Sequence, residues 1–216
     1  MQKSDEQPET TEPAARARGR PRAFDREAAL KQAMLLFWRK GYEATSIAEL
    51  VEAMGIGSPS LYAAFGSKEA LYAEALRYYA TNHEAFVWGR FFAAGSAREA
   101  IVALLMDSAA ALTGSVVDIP SGCMVALSSV GSEGHAELGE LVRSQRAVTF
   151  ERLKTRLERA LADGELPPST DVGALARFVQ TVQFGMSILA RDGVGRADLE
   201  DVARLAIMSW DARTAA

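Results

Sequence analysis

The sequence predicts an all-α protein of about nine helices, with a small three-helix head containing a helix-turn-helix and a larger helical domain behind it. Three observations carry this expectation. The 216 residues are 49% hydrophobic and rich in Leu, Ala, Glu and Arg, with few Gly-Asn turns of the kind that join strands. Apolar residues recur at three- and four-residue spacing instead of alternating. Helix-start chemistry precedes those runs, and glycines close them.

Taken in order, Met1–Pro13 is acidic, rich in Thr, Glu and Gln, and without an aliphatic residue after Met1, a composition that does not fold alone. A disordered tail is expected through residue 17. Arg16–Arg22 then holds four arginines in seven residues, interrupted by Gly19 and Pro21. An isolated run of this kind is a solvated tail. Placed just ahead of a helix-turn-helix, it suits an arm that lays arginines into a narrow minor groove. Asp25 caps a first helix running to about Lys40, with Ala29, Ala33, Leu36 and Phe37 inward and Gly41 stopping it.

Thr45 or Ser46 caps the next helix, and Ser46 with Glu49 has capping-box spacing. Ile47, Leu50, Val51 and Met54 share one face, and Gly55 follows where a left-handed residue ends the helix. Ser58 and Pro59 restart it, a capping hydroxyl followed by proline at the first helical position. Leu61 and Phe65 point inward, leaving Ser58, Ser60, Ala63 and Ala64 outward. A second helix presented by a short glycine turn, with a small polar outer face, suits a DNA groove. An ordinary helical hairpin shares the same turn.

Ser67 caps a long helix from Lys68 to about Trp88, which links head and body. Lys68, beside a helix N-terminus, is placed for a backbone phosphate. Ser96 and Glu99 form another capping box, opening a helix through Ile101, Leu104, Leu105 and Leu112 to Gly114. Val116–Ser121 is a loop, Gly122–Val130 a short apolar helix, and residues 131–134 a break. A charge-laced helix spans about His135–Asp163, with Leu138, Leu141, Val142, Val148, Leu153 and Leu157 as its stripe. Gly164–Pro168 turns the chain, Asp171 starts Val172–Ala190, and a final helix runs from about Asp198 to Ala212.

The head motifs together resemble the TetR family of transcriptional regulators. The matching residues are Arg18–Arg22, Phe37, Gly41-Tyr42, Thr45–Ile47, Met54–Ile56, Leu61-Tyr62, Phe65 and Ser67–Glu69, over about residues 18–72. The resemblance implies a DNA-binding domain over 18–70 and an effector-binding and dimerisation domain over 71–216. It implies phosphate contacts from Thr45, Tyr62 and Lys68, base reading from Ser58, Pro59 and Ser60, and a minor-groove arm of Arg18, Arg20 and Arg22. Ala63-Ala64 stands where many members carry an aromatic or histidine pair, and Val51 where many carry alanine. Readout therefore leans on the serines, thymine methyl groups and DNA shape.

Charge is distributed to match. Net charge is −4, yet residues 14–70 hold nine Lys+Arg against six Asp+Glu, and residues 71–216 hold 14 against 18. The implied function is a homodimeric repressor released from a palindromic double-stranded DNA operator by a small apolar or aromatic effector. Val172–Ala190 carries one charge in 19 residues and needs partners nearly all round. Its Val179, Val182 and Met186, with Leu199, Val202, Ala206 and Trp210 of the last helix, are the expected dimer interface. Trp88, Phe92, Met106, Cys123, Met124, Phe150, Phe178, Gln183 and Phe184 are the expected effector pocket, with Gln180, Gln183 and Ser128 as polar anchors. A ligand wedged between the helix ending near Trp88 and Phe178–Met186 would displace the former and change the spacing of the reading helices.

Other signals are weaker. His83 and His135 are far apart, so no metal and no cofactor are expected. Gly193–Asp198 is read as an interhelical turn, since it follows a helix and lacks a third glycine. No nucleophile elbow, phosphate loop or carboxylate pair is present, which argues against an enzyme. Cys123, alone, excludes an internal disulfide and fits a reducing cytoplasm; it is either core packing or a redox sensor, and the alternative to effector release is a constitutive or redox-responsive DNA-binding regulator without a small-molecule pocket. Residues 1–15 lack an apolar stretch, and Arg177, Gln180, Gln183 and Ser187 make Val172–Ala190 a poor membrane span. Arg143 and Arg146 are read as solvated charges.

Overall fold

The structure, a computed structural model, describes residues 24–116, 118–132 and 134–215. Among the described residues there are ten α-helices, one 3₁₀ turn and no strand. The head is α1 (Arg26–Lys40), α2 (Ile47–Met54) and α3 (Ser58–Phe65), joined by α4 (Lys68–His83) to the body. The body comprises α5 (Ala85–Ala93), α6 (Ala97–Leu112), α7 (Met124–Leu127), α8 (Ala136–Ala162), α9 (Val172–Arg191) and α10 (Arg196–Thr214).

The expected helix starts form as the chemistry dictates. Asp25 accepts from the Ala28 N–H at 3.0 Å, Ser67 from Ala70 and Asp171 from Ala174. Ser46 caps α2, and Ser46–Glu49 and Ser96–Glu99 both close reciprocal capping boxes. Gly55 ends α2 at φ +66°, the left-handed conformation that the turn into α3 requires.

Two hydrophobic cores result. The first joins Phe37, Leu50, Leu61 and Phe65 of the head, with Leu71 of α4, to Met124, Val130, Leu138 and Val142 of the body. The second packs Trp88, Leu104, Leu153, Val179, Leu199 and Trp210 from α5, α6, α8, α9 and α10. The 27-residue α8 contributes to both. The first core continues past residue 70, because α4 buries Leu71, Tyr72, Ala75 and Leu76 against the head.

Two sequence expectations are corrected. The single helix drawn from Lys68 to Trp88 is broken at Glu84, and α5 runs on through Gly89. Its halves bury different faces, α4 into the head core and α5, through Trp88 and Phe91, into the body core. The helix drawn over Gly122–Val130 shrinks to Met124–Leu127, followed by a 3₁₀ turn at Val130–Ser132. Arg146 of α8, read as solvated, takes the carbonyls of Val125 (3.1 Å), Ala126 (3.1 Å) and Ser128 (2.5 Å), the first two of which a longer helix would have used. Arg143 is solvated as expected, paired with Glu140 on the surface.

Candidate nucleic-acid interface and effector cavity

The outer face of α3 is built from small and polar residues. Pro59, Ser60 and Ala63 are exposed, Tyr62 is 48% exposed, and Ser58 is half-buried. Leu61 and Phe65 anchor the opposite face in the head core. Ser58, expected as the cap, is instead the first residue of α3 after Gly57, and no side chain caps the helix, so the amide donors of its first turn are left open at the end where a phosphate or base edge would sit. Lys68 holds its ammonium 4.2 Å from the centre of the Tyr42 ring, at the start of α4. Tyr42 in turn donates to Glu69 at 2.9 Å, and burial, with that bond second, pushes its phenol well above the ordinary value.

Thr45 is corrected. Its side chain is fully buried and its hydroxyl donates to the Gly41 carbonyl at 2.6 Å, so it fixes the α1–α2 corner instead of facing phosphate. Arg18, Arg20 and Arg22 lie outside the described residues, as does the tail to residue 17.

Sequence reasoning missed Arg26. Its guanidinium takes both Glu74 carboxylate oxygens (2.5 and 2.8 Å), reaches the Ala64 carbonyl at 3.2 Å, and covers the Phe65 ring at 4.4 Å. It thereby pins the C-terminal end of α3 to α1 and α4. Lys40 likewise pairs with Glu49, which, with Ser46, pulls the Glu49 carboxyl down to about 2. Neither pairing follows from spacing, since the partners come from separate helices.

A cavity of about 120 Å³ opens between α4–α5, α8 and α9. Trp88, Val87, Leu112, Val148 and Phe184 give it apolar walls, and Tyr79, His83, Cys123, Gln183 and Ser187 give it polar points. Gln183 donates to Ser108 at 3.0 Å, and Cys123 Sγ accepts from Tyr79 at 3.3 Å. Burial pushes the Tyr79 phenol up, with Cys123 adding to the rise, and pulls the His83 imidazole down.

Four of the nine expected pocket residues line this cavity: Trp88, Cys123, Gln183 and Phe184. The other five do not. Phe92 stacks on the outer side of Trp88 and is exposed. Met124 is buried in the head core, and Met106 packs on the body core. Phe150 packs on that core too, under the Arg177 guanidinium at 3.5 Å, and Phe178 opens on the surface. Of the anchors, Gln180 is spent on the Arg146 carbonyl and Ser128 on Tyr72.

The expected dimer residues are also corrected. Val179, Met186, Leu199, Ala206 and Trp210 are buried in the body core, and Val182 and Val202 pack against it. The free face of α9 and α10 carries Phe178, Ile188, Leu189, Leu205 and Met208 instead, with Leu205 64% and Met208 66% exposed. The length and apolar composition of α9 would suffice to cross a membrane, but its other face is packed on α6, α8 and α10. Among the described residues, no three His, Cys, Asp or Glu side chains cluster to hold a metal. Of the expected turn Gly193–Asp198, Gly193 (φ +94°), Val194 and Gly195 join α9 to α10, whereas Arg196–Asp198 already belong to α10.

A helix-turn-helix with an open second helix, carried on a larger helical body, defines a DNA-binding regulator. The chain belongs to the TetR family of transcriptional regulators, and it is a regulator and not an enzyme. The family described as "Bacterial regulatory proteins, tetR family" matches residues 29–75. The HTH-type transcriptional repressor ComR of Escherichia coli (strain K12) is 37% identical over 209 residues, covering 94% of this chain and 96% of ComR. The repressor BdcR of the same organism is 48% identical over 69 residues, 32% of this chain and 35% of BdcR. Among solved structures, a cysteine mutant of the TetR family regulator CifR, complexed with 26bp double-strand operator DNA, is 42% identical. Its TM-score is 0.82, covering 88% of this chain and 100% of that one.

Proposed function

We propose that this protein is a homodimeric repressor that leaves a palindromic operator when a small apolar or aromatic effector enters the cavity beside Trp88. The observation that carries the reading is α3, whose uncapped first turn and small outer residues stand clear of the head. Pro59, Ser60 and Tyr62 meet the DNA, with Ser58 at the edge, and Lys68 grips a phosphate; Arg18, Arg20 and Arg22 are assigned to the minor groove. Support comes from ComR, a named repressor, and from CifR, solved on operator DNA.

One α3 reads too few bases alone, so two copies must sit roughly 34–36 Å apart, one turn of DNA. The Phe178, Ile188, Leu205 and Met208 face is the surface assigned to pairing, as half of a four-helix interface. A void of roughly 150 Å³ accepts benzene, so a cavity near this size suits a compact ligand. The ligand acts only by preferring the spacing that DNA rejects.

Selection of duplexes from a random pool by the purified protein tests the reading. An inverted repeat is expected, and no enriched sequence at low salt would reject it. A second reading, in which oxidation of Cys123 sets affinity, draws on the thiol's place in the cavity wall. If so, Cys123→Ser abolishes a peroxide response; if an effector acts, the variant still answers to ligand.

A further inference from the structure

We propose that Ser121–Cys123 is the junction through which the cavity controls the head, with Trp38 and Arg191 as its transmitting contacts. The proposal rests on the cavity being the effector site. On one side, the segment faces the end of α1. The Trp38 indole N–H donates to the Gly122 carbonyl at 3.1 Å. Arg191, at the end of α9, donates to the Ser121 carbonyl at 2.9 Å and to those of Trp38 and Arg39 at 2.8 and 3.0 Å. The last carbonyls of a helix lack intrahelical partners, and a guanidinium there satisfies them and suits the dipole.

On the other side, the segment is cavity wall. The Cys123 N–H donates to Ser187 Oγ at 2.8 Å, and the Gly122 N–H to the Leu112 carbonyl at 2.7 Å. Leu112, Cys123 and Ser187 all line the cavity. There is no slack between the two sides. Gly122 sits at φ +80°, and a Cβ there would lie 2.5 Å from Leu127 Cδ1 and 2.8 Å from the Ser187 carbonyl oxygen.

A body pressed against Cys123 therefore moves the carbonyls that hold α1. The end of α1 leads to Gly41, whose carbonyl holds Thr45, and Ser46 beside it caps α2. A displacement at the cavity wall thus reaches the helix-turn-helix through backbone and short hydrogen bonds, a connected path whose coupling is measurable.

Cys123 is the chain's one cysteine, so methyl methanethiosulfonate places a probe at one point. The thiolate attacks the reagent's sulfenyl sulfur, an S–S bond forms, and methanesulfinate leaves. Affinity for the pool-selected duplex is measured at fixed salt, labelled and unlabelled, in the native protein, Trp38→Phe and Arg191→Gln. Dithiothreitol reversal separates the probe's effect from misfolding. Cys123→Leu supplies added volume independently of thiol reactivity, and Arg191→Lys serves if Arg191→Gln melts.

The native protein is expected to lose about tenfold or more in affinity on labelling. That ratio should fall below about threefold in Trp38→Phe and Arg191→Gln, and Cys123→Leu should behave like the label. An undiminished ratio in both variants overturns the junction and leaves the cavity reading standing. Full affinity in both the labelled native protein and Cys123→Leu overturns the cavity reading and the junction with it.

Discussion

Lys68 illustrates how little separates a structural from a DNA-binding role at a single residue. Its ammonium rests over Tyr42 in the free protein, yet it occupies the first position of α4, close to where a phosphate meets a helix start. Lys68→Ala should weaken binding to all duplexes about equally and flatten the salt dependence by ~1, measured by anisotropy across a salt series. His83 gives a prediction of another kind. Burial first, with Lys31 adding and the Tyr79 carbonyl opposing, holds its pKa below the ordinary 6.5. The folded chain then binds fewer protons there than the unfolded chain. Its contribution to stability is complete above the ordinary value and is lost as pH falls through 6.5 towards the folded value. His83→Gln should therefore lessen the drop in Tm between about pH 7.5 and about pH 5.5. Gly122→Ala combines a left-handed backbone with two hard contacts, one of them to backbone. A loss of about 1–3 kcal/mol in denaturant unfolding is expected from the conformation alone, and more from the contacts.

Helices α9 and α10 show what periodicity conveys and what it leaves open. Both were legible as helices, down to the Asp171 cap. The choice of partner surface was not, because α9 is apolar on two faces: Val179 and Met186 on one, Phe178 and Ile188 on the other. A 3.6-residue period marks a face as apolar without saying which side the rest of the chain covers. Leu205→Glu with Met208→Glu should yield a folded protomer of half the mass by sedimentation, since neither side chain supports the core. Val179→Asp, buried within that core, should unfold the chain instead, visible as lost helical circular dichroism. The shortened α7 was illegible for a related reason. The arginine that competes for its carbonyls comes from α8, about 20 residues away in sequence.

In the whole molecule, the head was read almost intact because its signals are local: Asp25, the Ser46–Glu49 box, Gly55 and Pro59 each act within a turn of chain. The cavity was half-read because its walls come from six helices whose approach no local pattern encodes. Trp88 and Phe184 reach it, whereas Phe150 and Phe178 do not. The same long-range packing makes one mechanical unit of the chain, with α8 in both cores and Arg191 tying the end of α9 to the end of α1. Filling the cavity should then lower operator affinity without unfolding the head. The central claim, that α3 reads duplex DNA by sequence, is tested by titrating the pool-selected duplex and a shuffled duplex over a salt series. Binding to the selected duplex is expected to be at least about 10³-fold tighter, with both affinities falling linearly in log–log form as salt rises. Equal affinity for the two duplexes at every salt concentration would contradict it.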